Sequence, residues 1–126
     1  MSITFDLENT PSCAVFHAIG EISFDQVCDS LAAFYRKTES HPVANVLWDI
    51  RSADVSRLTS VEMERLPLFA GRFTHVRKGG RTAIVAAREV DFAVTRLISF
   101  FSHNLPVTVR AFRDLEEAES WLKESR

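Results

Sequence analysis

At 126 residues, with 46% hydrophobic and 25% charged residues, the chain has the size of one ordinary domain. Its composition is that of a globular protein, which excludes intrinsic disorder, a collagen-like repeat and a disulfide-dense scaffold. A formal net charge of −2 provides no global basic field for nucleic acid, although nine acids against four bases in residues 1–63 and eight against eleven in residues 64–126 make the second half the better place for an anionic contact.

Ile3, Phe5 and Leu7 alternate with Thr4, Asp6 and Glu8, the period-two pattern of an edge strand. Asn9 to Ser12 supply a turn, and Cys13 to Ile19 reads as a second strand, antiparallel to the first and closed by Gly20. From Ser23, a first-turn cap, the period becomes helical through Phe24, Val27, Cys28, Leu31, Ala32 and Tyr35, and the helix ends near Lys37. Val43 to Ile50 is a nearly continuous apolar run that suits an interior strand. Thr59 with Glu62 makes a capping box, so a helix starts at Ser60 and presents Leu66, Phe69, Ala70 and Phe73, with Pro67 expected to kink or split it. Gly79-Gly80 makes a turn into a buried strand over Thr82 to Ala87. Asp91 is placed to cap a helix with the stripe Val94, Leu97, Ile98 and Phe101, ending near Asn104. Val107 to Phe112 reads as the last strand, and Asp114 with Glu117 as a second capping box opens a helix that buries Leu115, Ala118, Trp121 and Leu122.

Helices and strands alternating at this spacing predict an α/β fold with right-handed crossovers. The expected architecture is a five-stranded, mostly parallel sheet with an N-terminal antiparallel edge strand and four main helices. No repeat or linker divides the chain, so residues 1–126 are read as one domain. No signal pattern precedes Ile3 and no apolar run approaches the eighteen residues of a membrane span, so a cytoplasmic protein without stable membrane insertion is expected.

That path, with the stretches Leu47-Trp48-Asp49-Ile50-Arg51, Arg81-Thr82-Ala83-Ile84-Val85 and Ala111 to Leu122, resembles the SpoIIAA-like group of bacterial proteins over almost the whole chain. These share the fold of STAS domains and are grouped by topology with Sec14-type lipid carriers. The resemblance implies a module that recognises a protein partner. In anti-sigma factor antagonists a phosphorylatable serine, usually within an Asp-Ser-Ser-Gly run, opens the helix after the middle strand. Here that place reads Ser56-Arg57-Leu58-Thr59-Ser60-Val61, with hydroxyls at Thr59 and Ser60 but neither the acid nor the glycine. A phosphate would suit a helix N-terminus, yet Thr59 is read first as an N-cap.

Cys13 and Cys28 are too few for a disulfide framework and read as small buried hydrophobes. His17, His41, His75 and His103 show no spacing that gathers a metal, and no cofactor motif occurs. Cys13 and His17 point to the same side of one strand, but about 13 Å apart, too far for direct proton transfer. Ligands of open α/β sheets favour the carboxyl ends of the strands, expected at Glu21, Asp49, Arg51, Arg88, Glu89, Arg113 and Asp114. This mixed set, with Asp49, Arg51, Arg88 and Arg113 as its leading members, reads as a small polar or anionic ligand site or as a surface ion-pair network. The basic stretch Arg72, His75, Arg77, Lys78, Arg81 and Arg88 suits an acidic protein, an anionic membrane or simple solvation.

The helix from Phe92 to Asn104 carries Phe92, Ala93 and Phe100 beside its main stripe, which marks Phe92 and Phe100 for self-association in a homodimer. The first expectation is therefore a non-catalytic binding or regulatory module that acts through protein contacts. The alternative, implied by the Sec14-type relationship and the phenylalanine-rich helices, is a carrier or sensor of a small apolar or lipid-like ligand.

Overall fold

Alternation along Ser2–Asp6 (β1) turns Ile3 and Phe5 inward and leaves Ser2, Thr4 and Asp6 in water, as a half-covered edge strand requires. The structure, a computed structural model, describes residues 2–7 and 13–124, and the turn expected at Asn9 to Ser12 lies outside them. β1 pairs antiparallel with Cys13–Glu21 (β2). Parallel pairs then join β2 to Asn45–Asp54 (β3), β3 to Arg81–Val85 (β4) and β4 to Thr108–Phe112 (β5). The strands lie in chain order, so each crossover advances one place, and the expected mostly parallel sheet with an antiparallel edge is the one observed.

Four α-helices flank the sheet: Phe24–Lys37 (α1), Ser60–Ala70 (α2), Glu89–Phe101 (α3) and Leu115–Lys123 (α4). The first three cover one face, where Ile22, Ile50, Leu58, Leu66 and Val94 form one buried group and Phe16, Phe34, Tyr35 and Val46 another. On the opposite face α4 sets Ala118 and Leu122 against Leu47, Ala83, Val85 and Phe112. A helix about 10 Å wide cannot span five strands spaced about 4.8 Å apart. Cys13 and Val15 at the start of β2 still pack against the α4 group, whereas the α4 side of β1, the rest of β2 and the end of β3 stays in water, with His17, Ile19 and Arg51 exposed.

Two helix starts carry reciprocal boxes. The Gln26 amide donates to Ser23 Oγ (3.2 Å) and the Ser23 amide to Gln26 Oε1 (2.8 Å); the Glu62 amide donates to Thr59 Oγ1 (3.1 Å) and the Thr59 amide to Glu62 Oε1 (3.0 Å). Elsewhere the local signals yield to tertiary packing. Arg88, not Asp91, is the N-cap of α3, because the Asp91 carboxylate is taken up by a buried contact. Asp114 occupies the N-cap of α4 without a side-chain bond, so the box expected with Glu117 does not form. The core stripe of α3 shifts as well: Leu97 is exposed and Thr95 is buried, its hydroxyl satisfied by donation to Phe92 O at 2.9 Å. Pro67 does not split α2 but lies in its last turn. There its ring nitrogen has no hydrogen for Met63 O, the helix stops at Ala70, and a short 3₁₀ helix, Thr74–Arg77, follows.

The double glycine before β4 has a steric cause. A Cβ on Gly80 would lie 2.0 Å from the carbonyl oxygen of Ala44, and Gly79 has a φ of +86°. Close passage of β4 beneath the residue that leads into β3 needs both.

Candidate contact site at the carboxyl ends of the strands

β3 continues four residues beyond Ile50, pairing Gly20 with Ala53 and Glu21 with Asp54. Asp54, rather than Asp49, therefore marks its carboxyl end. Arg88 Nη2 reaches Asp54 Oδ1 at 2.8 Å, and Arg88 Nε and Nη2 donate to Asp91 Oδ2 and Oδ1 at 2.6 and 3.2 Å. Asp91 is 1% exposed and also accepts the Val55 amide at 2.9 Å. A buried carboxylate is tolerated only when paired and hydrogen-bonded in this way. Ser56 donates its hydroxyl and its amide to Asp54 Oδ1 (2.6 and 2.9 Å). Those two bonds, then Arg88, hold the Asp54 carboxyl below the usual carboxylate range. The bond to Asp91 foremost raises Arg88 above the usual guanidinium range. Both groups are charged at neutral pH. The Ile22 amide donates to Asp54 O at 3.0 Å, so the turn into α1, the loop into α2 and the start of α3 are fixed to one another.

The residues expected to share a site divide between two places. Arg113 joins Arg88 near the start of α3, donating to Ala87 O at 3.2 Å with its guanidinium 5.8 Å from the centre of the Phe92 ring. Asp49 and Arg51 lie instead on the uncovered sheet face, where Arg51 Nε and Nη2 meet the Asp49 carboxylate at 2.9 Å each. There His17 stands 3.8 Å from Asp6 and 3.7 Å from Asp49. The Arg51 side chain is the main cause of a depressed Asp49 pKa. Asp54 is not among the residues expected here, and Asp91 is expected only as a helix cap. The Arg88-to-Asp91 spacing of one helical turn is the signal that points to Asp91.

Thr59 Oγ1 is occupied by its cap bond, and Ser60, the first residue of α2, is exposed. The basic stretch does not form one patch. Arg77 is buried, Arg81 donates to Trp121 O at 2.6 Å and lies 4.8 Å from the Trp121 ring centre, and Arg88 sits beyond the other end of β4. Cys13 Sγ contacts Ala14 O at 3.8 Å whereas His17 faces carboxylates. Burial is the chief reason that both cysteine thiols titrate above their ordinary range, the reverse of an activated nucleophile.

Exposed apolar side chains concentrate on α2 and α3. Val61 and Leu68 are seven residues apart on α2, as are Val90 and Leu97 on α3, with Phe100 one turn further and Leu68 and Phe100 the most exposed at 72% and 67%. Residues seven apart return to one helix face, and each of these pairs faces water. Phe92, by contrast, turns inward against the core group under α1–α3.

The sequence profile of the SpoIIAA-like family matches residues 14–123. The chain belongs to that family. No curated protein matches it. Among solved structures, this family member is similar to an uncharacterized protein of the DUF3478 family with a SpoIIAA-like fold from Shewanella loihica PV-4, at 21% identity and a TM-score of 0.62, over 96% of this chain and 94% of that one. It is also similar to the anti-sigma factor antagonist SpoIIAA in its unphosphorylated form, at 16% identity and a TM-score of 0.66, over 99% of each chain. At these identities the likeness is one of fold. Among the described residues, no helix is long and apolar enough to cross a membrane, and no three His, Cys, Asp or Glu side chains are grouped as metal ligands.

Proposed function

We propose that this SpoIIAA-like protein is a non-catalytic regulatory module of the cytoplasm that binds a partner protein through the outer faces of α2 and α3. The observation that carries this reading is the exposed apolar stripe of Val61, Leu68, Val90, Leu97 and Phe100 on two neighbouring helices. Large exposed apolar side chains are costly to solvate and become favourable at the centre of an interface. Arg65 and Arg96 are exposed on the same helices, and neither has a carboxylate at ion-pair distance among the described residues. The partner is therefore a protein segment with an apolar ridge that also accommodates charged side chains at its edges. The Asp54–Arg88–Asp91 network supports the role by holding the starts of both helices in fixed relation. That a structural relative is an anti-sigma factor antagonist is consistent with action through protein contacts.

The test is affinity capture with the parent protein beside Leu68→Glu and Phe100→Glu variants, with circular dichroism and sedimentation on each. A discrete partner held by the parent and released by both folded variants supports the reading. Equal capture by all three, or self-association alone lost in the variants, overturns it. The second outcome would make the stripe a homodimer contact.

A further inference from the structure

We propose that the interior of this chain binds a small carboxylic acid with a compact apolar body, no larger than benzoate or hexanoate. Between the sheet and α1–α3 lies a cavity of about 120 Å³ with walls that include Leu31, Trp48, Ile84, Ile98 and Val109. A cavity of roughly 150 Å³ lined by such side chains accommodates benzene. At a somewhat smaller volume, this space reaches its limit with a single ring or a short chain and is too small for a membrane lipid.

One part of this apolar space is polar. Thr74 and Arg77 stand three apart in the 3₁₀ helix, so their side chains leave the same side, and both are buried while His75 and Val76 between them are exposed. Both line the cavity with Tyr35. Arg77 donates Nε to Ala44 O (3.1 Å), Nη1 to Tyr35 Oη (3.0 Å), and Nη2 to Arg81 O (3.1 Å) and Thr82 Oγ1 (2.8 Å). A guanidinium has five N–H donors, so one Nη1 hydrogen is uncommitted. No carboxylate among the described residues lies within ion-pair distance of this 5%-exposed cation. Thr74 Oγ1, on a residue 2% exposed, has no hydrogen-bond partner among the described residues. Tyr35 Oη accepts from Arg77 and retains its own hydrogen to donate.

Three donors and an unneutralised positive charge thus border an apolar space. A carboxylate has only acceptors and takes several donors at once. It would give Arg77 its counter-charge and Thr74 its partner while its hydrocarbon part fills the cavity. A neutral molecule of the same shape supplies no counter-charge, and an amine would meet a cation. This inference stands apart from the α2–α3 contact face and does not depend on it.

The experiment titrates the full chain with benzoate and hexanoate, and with benzamide and hexanol as neutral counterparts. Binding is followed by the emission of Trp48, which lines the cavity, and by the thermal midpoint. Expected are saturable binding of one acid per chain and at least tenfold weaker binding of the neutral counterparts. Thr74→Val removes an unpartnered hydroxyl at nearly constant volume, so it should fold and weaken the acids several-fold; Ala70→Leu, which intrudes on the cavity, should abolish binding. Arg77→Gln should erase the preference for acid, and Tyr35→Phe, with a several-fold weakening, serves where that variant does not fold. Absence of a saturable response up to roughly 10 mM, equal binding of acid and neutral forms, or acid binding unchanged in folded Thr74→Val and Ala70→Leu overturns the proposal.

Discussion

The Asp91 carboxylate accepts the Val55 amide at 2.9 Å across 36 residues of chain, joining the first turn of α3 to the loop that enters α2. Its second oxygen holds Arg88, which in turn reaches Asp54. Asp91→Ala would leave a buried N–H without a partner and Arg88 with Asp54 as its remaining carboxylate. Losing a charge-assisted bond to a buried donor costs about 2 kcal/mol. Urea denaturation should show a loss of that order, and hydrogen exchange should speed up at Val55 and Leu58 before the sheet amides respond. Unchanged protection there would mean that other contacts hold the loop.

Thr59 and Ser60 stand side by side but are not equivalent. Thr59→Ala removes the acceptor for the Glu62 amide and should lower stability by about 1 kcal/mol. Ser60→Ala, at an exposed position with no cap bond, should remain within about 0.5 kcal/mol of the parent. Equal losses in chemical denaturation would show that the cap is not what distinguishes them.

The features that could be read from the chain are local. Alternation in β1, the apolar runs of β3 and β4, and the Thr59–Glu62 box each depend on residues within a few positions, and each appears in the structure. Asp91 looked like a cap because its chemistry and position beside a helix start suit one. It serves another purpose because β3 runs on to Asp54 and brings Val55 beside it, a consequence of strand pairing that no short window contains. Arg77 was counted with an exposed basic stretch for the same reason. Its burial depends on Tyr35, 42 residues earlier, and on the Ala44 carbonyl. Leu97 and Thr95 exchanged roles because helix periodicity gives a stripe its spacing but not its absolute rotation, which packing against α2 and β5 decides.

Asp49 gives the protein an acid-sensitive term. Arg51 holds its carboxyl below the usual range in the folded state, so the folded form binds the proton less readily than the unfolded chain does. The resulting stabilisation is fully present above the unfolded value of about pH 4 and disappears as pH falls through the lower folded value. Asp49→Asn should be less stable than the parent at pH 7, and the difference should shrink as the pH is lowered from about 4 toward 2. Thermal midpoints across that range provide the check, and a constant difference would assign the effect to packing.

Gly79 and Gly80 should respond differently to alanine although they adjoin in one turn. At Gly79 an added Cβ meets nothing within 4 Å, and the only difficulty is a φ of +86°, a left-handed conformation that costs a non-glycine residue about 1 kcal/mol. At Gly80 the same Cβ would fall 2.0 Å from Ala44 O and 2.9 Å from Arg77 O. Backbone has to move there, and the Ala44 carbonyl that must retreat is the one accepting Arg77 Nε at 3.1 Å. Relief of the clash therefore loosens a buried cation as well as a strand, and Gly80→Ala should cost at least about 3 kcal/mol, the upper end of ordinary overpacking. Thermal unfolding should lower the midpoint several degrees more for Gly80→Ala than for Gly79→Ala. Equal midpoints would mean that the Ala44 strand entry shifts at little cost and that Arg77 is not tied to it.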